Sequence, residues 1–188
     1  STRAYRFFLK YIIPNLTFFT ATGPNYFFKE RLRDAMKPGD VLLSKSSGHL
    51  TNLLIGGSFS HAALVIDRDR IAEMTANGFD VVSVDKFCSQ TTRICLLRLT
   101  PEDEAYGLLM AKKAMTFENA EYDLDFDLGV ESLYCSELCY QADIEHRFQC
   151  DLSDLAGLGR PYISPVGLRE AKGLEAILQW VDKSIIRK

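Results

Sequence analysis

Ser60-His61-Ala62-Ala63-Leu64-Val65-Ile66-Asp67-Arg68-Asp69-Arg70-Ile71-Ala72-Glu73-Met74-Thr75 is the stretch on which the reading of this chain turns. Its two halves are apolar and rich in small and branched residues, and a polar run separates them. This predicts a strand over His61–Ile66, a turn at Asp67–Arg70 and a return strand over Ile71–Thr75. Two polar side chains interrupt the strands: His61 starts the first and Glu73 sits inside the second. Each is six residues from Asp67. A hairpin symmetrical about Asp67 sets them directly opposite on one face, whereas an even loop sets them on opposite faces. The sequence leaves this register open. Taken alone, His61 reads as a satisfied core or edge histidine and Glu73 as an exposed strand residue.

Before this stretch, Lys37-Pro38-Gly39-Asp40 signals a turn. A short strand is expected at Val41–Leu43 and a short helix at Leu50–Ile55, stopped by Gly56-Gly57. After it, Asn77-Gly78 is a hairpin-turn signal, with strands expected at Asp80–Val84 and Arg93–Leu99. The pattern then turns helical. Thr100 is the expected cap of a helix with Pro101 at its first position, acids in its first turn and an end near Thr116. Residues 119–130 read as a loop, Ser132–His146 as a helix, and Ser164–Lys172 as another capped by Ser164 with Pro165 next. A last short element falls at Glu175–Asp182. Strands first and helices after is α+β order, not βαβ alternation.

The 188 residues are 47% hydrophobic and 25% charged, with net charge −3. This is an ordinary globular balance for one domain with an extension, and it carries no nucleic-acid signal. Residues 1–36 form that extension and 37–188 the main domain. Nine of the 21 aromatics fall in residues 1–33, together with six basic residues against one acid, Glu30. Pro14 divides the segment into two amphipathic pieces, near 3–13 and 25–36. Aromatics mark buried area, which favours a strap across the domain; the alternative is peripheral membrane contact through residues 1–33. Residues 120–155 carry ten acids against one base, Arg147. No apolar run reaches the ~18–20 residues needed to span a bilayer. The chain begins with Ser1, which leaves room for a removed signal or anchor. Cell envelope and cytoplasm both stay open, as does the oligomeric state.

The five cysteines are Cys88, Cys95, Cys135, Cys139 and Cys150, an odd and sparse set that fits a reduced thiol better than a disulfide scaffold. Whether Cys88 and Cys95 pair is not readable from spacing. Cys135 lies at the start of a predicted helix, where backbone N–H groups and the helix dipole favour a thiolate and can hold an oxyanion. A buried structural thiol is the bland alternative. Only His49, His61 and His146 could act as its base. His49 sits in a loop-like setting, and His146 falls at the end of the cysteine helix, where the dipole suffices to explain it. Glu73 is the candidate to orient the imidazole. Asp123-Leu124-Asp125-Phe126-Asp127 hints at a calcium loop, but Leu128 and Tyr134 stand where Gly and Glu are needed. Cys135, Cys139 and His146 on one helix make a weak zinc signal.

Pro38-Gly39-Asp40-Val41-Leu42-Leu43-Ser44, then Ser60–Ile66 and Glu73, resemble the permuted branch of the NlpC-type, papain-like superfamily, and its YiiX-like members above all. Tyr122-Asp123 through Phe126, with Tyr134-Cys135-Ser136-Glu137-Leu138-Cys139-Tyr140, resembles its second block, and Ile163-Ser164-Pro165 a later one. The matches span about residues 37–170, with the histidine strand ahead of the cysteine helix. The resemblance implies a small antiparallel β-barrel or curled sheet packed against the cysteine helix. It implies a triad of Cys135 as nucleophile, His61 as base and Glu73 as third residue, with no metal or organic cofactor. It implies acyl chemistry through an acyl-thioester, on a peptide, amide or lipid substrate. The first expectation is a cysteine amidase or peptidase. The alternatives are a thiol acyltransferase or lipase acting on lipid esters at a membrane, and a non-catalytic binding module.

Overall fold

In a computed structural model of the chain, the described residues are 23–46, 57–89, 91–123, 132–154 and 161–182. The helix expected within 3–13, the one at Leu50–Ile55, His49, and most of the 119–130 loop lie outside them.

Asp67 makes the decisive turn. Its Oδ1 accepts the N–H groups of Asp69 and Arg70, and its Oδ2 takes the Arg70 guanidinium at 2.6 Å. The hairpin joins β2 (His61–Val65) to β3 (Ile71–Thr75). Its register pairs Ala63 with Glu73 and Val65 with Ile71. The hairpin therefore centres on Arg68 rather than Asp67. His61 and Glu73 share a face, but diagonally rather than directly opposite.

Around the hairpin lies one antiparallel sheet in the order β10-β5-β1-β2-β3-β4. Its other strands are β1 (Val41–Ser46), β4 (Gly78–Val82), β5 (Thr91–Leu99) and β10 (Leu174–Val181), while β8 (Ser153–Asp154) and β9 (Pro161–Tyr162) pair with each other apart from it. Among the described residues no ladder joins β10 to β4, so of the expected β-barrel or curled sheet no closed barrel is shown, and the sheet is open there.

Both faces of the sheet are covered. Leu43, Ala62, Leu64, Met74, Cys95 and Leu97 face a core shared with α3 (Glu104–Met115), α4 (Cys135–Ala142) and α5 (Pro165–Glu170). Leu42, Ala63, Val65, Ile71, Ile94 and Leu96 face a second core with α1 (Tyr26–Ala35) and α2 (Val84–Cys88). Alternate side chains go to opposite faces, so two covered faces demand nearly unbroken apolar strands such as Val41-Leu42-Leu43. The front segment contributes through α1, which buries Phe28 and Leu32. Its Lys29 and Arg33 turn onto the domain, pairing with Asp85 at 2.8 and 2.6 Å, and Arg33 also with Asp69 at 2.9 Å.

Several boundaries differ from the sequence expectation, each for a local reason. The helix expected from Pro101 starts at Glu104 with Asp103 as cap, accepting the Tyr106 N–H. Thr100 instead prolongs the β5–β10 edge, its N–H donating to the Gly173 carbonyl at 2.8 Å, and residues 101–103 are not helical. The strand expected to reach Val84 stops at Val82, since Ser83 caps α2, a helix the periodicity did not show. The last element, expected near Glu175–Asp182, is the edge strand β10. Gly107 in mid-helix is explained by packing: a Cβ there would strike the Pro38 carbonyl, and one at Gly39 the Gly107 backbone. α3 thus lies directly on the Pro38-Gly39 turn.

Candidate active site

The cysteine helix is shorter than its expected Ser132–His146. Ser132–Leu133 forms β7, paired in parallel with β6 (Glu121–Tyr122). Tyr134 is extended, and α4 begins at Cys135 itself. The thiol therefore sits at the first helical position, where the dipole and unpaired N–H groups act most strongly. Two bonds to one residue brace this start. The Ile163 N–H donates to the Tyr134 hydroxyl at 2.9 Å, and the Ser136 hydroxyl donates to the Ile163 carbonyl at 2.6 Å. Ser164 then caps α5 with Pro165 next, as the sequence predicts.

α4 ends at Ala142 because Asp143 diverts the chain. Its carboxylate accepts the Tyr106 hydroxyl at 2.5 Å and the Phe148 N–H at 2.9 Å. His146 thereby lies beyond the helix, exposed, with positive φ, against Tyr140. The helix-end position expected for it is not found.

α4 packs over β2 and β3 where their ladder stops. The last pair is Ala63 with Glu73, and the next N–H along β2, that of Ala62, is turned onto the Cys135 thiol. The thiol also shares a hydrogen bond with the His61 ring. The other edge of the ring is held by Glu73, with Nε2···Oε2 at 2.8 Å. Glu73 thus takes Nε2 and leaves Nδ1 for sulfur. The structure joins all three sequence-predicted residues in one line: sulfur, imidazole, carboxylate.

The line has an electrostatic consequence. Burial opposes a charged imidazole, but the Cys135 thiol and then the Glu73 carboxylate outweigh it and push His61 up to about 10. Burial likewise opposes a thiolate. The hydrogen bond and charge of His61, with the N–H groups of Ala62 and Ser136, draw the Cys135 thiol below its ordinary value. The other four thiols move the opposite way, chiefly by burial, and Cys88 is pushed up to about 12. All five cysteines are free. Cys88 and Cys95 belong to the cores on opposite faces of the sheet, which precludes their pairing. Cys139, one turn below Cys135, donates to its carbonyl rather than joining a metal set. Among the described residues no group of three or more His, Cys, Asp or Glu side chains could hold a metal ion.

A family model described as "permuted papain-like amidase enzyme, YaeF/YiiX, C92 family" matches residues 35–153. The chain belongs to the C92 family. The description calls the family permuted, and in this chain the strand bearing His61 precedes the helix bearing Cys135. A solved structure, described as metalloprotein yiiX from Escherichia coli O157:H7, superposes with a TM-score of 0.63 at 18% identity. The match covers 78% of this chain and 99% of that one, and shows a shared fold. No curated protein matches the sequence. Membership in the C92 family supports a hydrolase of amidase-like type.

Sequence reasoning finds the three polar residues but misses what holds them. Ile163 stands out in the sequence only as part of a resembling block, and its role as a backbone brace for α4 has no side-chain signature. The Tyr106–Asp143 bond spans 37 positions, with no spacing rule to betray it.

Proposed function

We propose that this protein is a cysteine hydrolase that cleaves an amide through an acyl-thioester, with Cys135 as nucleophile, His61 as acid–base group and Glu73 as orienter. The observation that carries the reading is the unbroken thiol–imidazole–carboxylate line, at the one cysteine whose thiolate is favoured. The thiolate attacks the carbonyl carbon, and the carbonyl π-electrons move to oxygen. The Cys135 N–H, at the helix start, is a donor for that oxyanion. Collapse of the adduct breaks the C–N bond while the imidazolium gives its proton to the departing amine. Neutral His61 then takes a proton from water, whose oxygen attacks the thioester. The acid leaves, and the proton returns to the Cys135–His61 pair. Glu73 keeps the ring turned with one nitrogen toward sulfur and favours the imidazolium that forms.

The yiiX protein is called a metalloprotein, whereas the described residues of this chain offer no fitting donor set for a metal ion, and no step here uses one.

Turnover of acyl-amide substrates, with iodoacetamide mapping of the labelled residue, tests the reading. Cys135→Ala should abolish turnover with the fold intact. Retained turnover would sink the assignment. A second reading, lipid esters or acyl chains at a membrane, is favoured by Tyr26 and Phe27, which stand 69% and 77% exposed at the start of α1. Binding to anionic vesicles that is lost in Tyr26→Ser/Phe27→Ser would support it, and no binding at low salt would exclude it.

A further inference from the structure

The His61 imidazole is held at both nitrogens, yet two hydrogen bonds along its edges leave one motion free. The ring can still rock about the line joining them. Something must lie against its face to stop that motion. Phe87 is the aromatic ring beside it, with ring centroids 5.9 Å apart and planes tilted by 32°, within the range of offset aromatic contacts. The His61 side chain is 23% exposed, while Phe87 is buried. Phe87 is thus a buried ring beside an imidazole that solvent still reaches.

Phe87 is itself fixed. It sits on α2, which Ser83 caps by accepting the Lys86 N–H, and the Phe87 N–H donates to the Ser83 carbonyl at 2.9 Å. Val84 and Cys88 anchor the turn in the core. From outside, Asp85 is gripped by Lys29 and Arg33 of α1. The titratable groups acting on His61 are Cys135 and Glu73. Phe87 adds a hydrocarbon surface that keeps water from the ring, and a π-face that favours the imidazolium over the neutral imidazole.

We propose that Phe87 is a positioning residue: packed against His61, it holds the imidazole in the plane shared with the Cys135 thiol and the Glu73 carboxylate, and stabilises its charged form. The proposal rests on the reading of His61 as the acid–base group.

The test uses the full chain with ¹⁵N-labelled histidine. The His61 ring is titrated by NMR, and the rate of Cys135 alkylation by iodoacetamide is measured alongside. Phe87→Leu keeps the apolar volume and removes the ring; Phe87→Met replaces it should Leu not fold. Val84→Ala loosens the same core and keeps the ring. In Phe87→Leu the His61 midpoint should fall by about one pH unit, while neutral-pH alkylation of Cys135 stays fast because His61 is still charged there. Phe87→Tyr should keep the wild-type midpoint, and Val84→Ala should lower the melting temperature without moving it. An unmoved midpoint in Phe87→Leu, or an equal shift in Val84→Ala, would overturn the proposal and leave the triad untouched. A wild-type Cys135 that iodoacetamide labels no faster than the other four thiols would instead overturn the acid–base reading, and this inference with it.

Discussion

At the scale of single residues, the imidazole between sulfur and carboxylate sets the expected pH behaviour. Reaction needs a thiolate, so kcat/KM should rise as pH climbs through the lowered Cys135 value, below the usual thiol range. It also needs the imidazolium to protonate the leaving group, so activity should fall again as pH passes about 10. Glu73→Gln keeps a hydrogen-bonding oxygen but removes the charge favouring imidazolium. The alkaline limb of the pH profile should move down, and kcat should drop on the order of 10²-fold. An unmoved limb would show that Glu73 does not act through His61. The thiols give a parallel check, because iodoacetamide should label Cys135 first at neutral pH. Slow labelling spread over all five would mean that no nucleophile is primed.

At the scale of elements, the placement of α4 decides whether these residues meet. Ser136→Ala deletes the hydroxyl that satisfies the buried Ile163 carbonyl. A loss of about 1–3 kcal/mol is expected in denaturant unfolding, with reduced Cys135 reactivity because the helix start loosens. Gly107→Ala inverts a familiar rule. Alanine favours a helix interior by up to about 1 kcal/mol over glycine, yet here the added Cβ meets the Pro38 carbonyl. The variant should melt below wild type. A rise in melting temperature would mean that the α3–turn contact yields easily.

At the scale of the whole molecule, the front segment and the sheet are tied by one buried ion pair. Arg98 on β5 donates from Nε and Nη2 to the two Asp40 oxygens at 2.9 and 2.7 Å, and from Nη2 to the Ala35 carbonyl that closes α1. Asp40→Ala leaves the Arg98 guanidinium with only the longer, exposed Glu102 pair at 3.4 Å, and should cost about 1–3 kcal/mol in chemical denaturation. Asp40→Ala/Arg98→Met should recover much of that loss, since the penalty lies in the weakly paired charge rather than in the missing attraction. A double variant no better than the single would place the cost elsewhere.

The sequence by itself determined the hairpin and its two polar interruptions, the cysteine near a helix start, and the Ser164-Pro165 cap. Each is written in local periodicity or capping chemistry, which a few neighbouring residues settle. It also determined the order of histidine strand and cysteine helix, and through its motifs the family. Only the tertiary structure decided the rest. The register about Arg68 follows from where the Asp67 carboxylate closes the turn, which spacing leaves ambiguous. The helix start moved from Ser132 to Cys135 because β6 captured Ser132–Leu133. The stop of the β2–β3 ladder at Ala63, which turns the Ala62 N–H onto sulfur, depends on α4 packing across chain separations of some seventy residues. The Phe87 contact depends on a five-residue helix too short to register as a period. Such long-range contacts are chosen by the shape of the assembled core, and no local pattern encodes them.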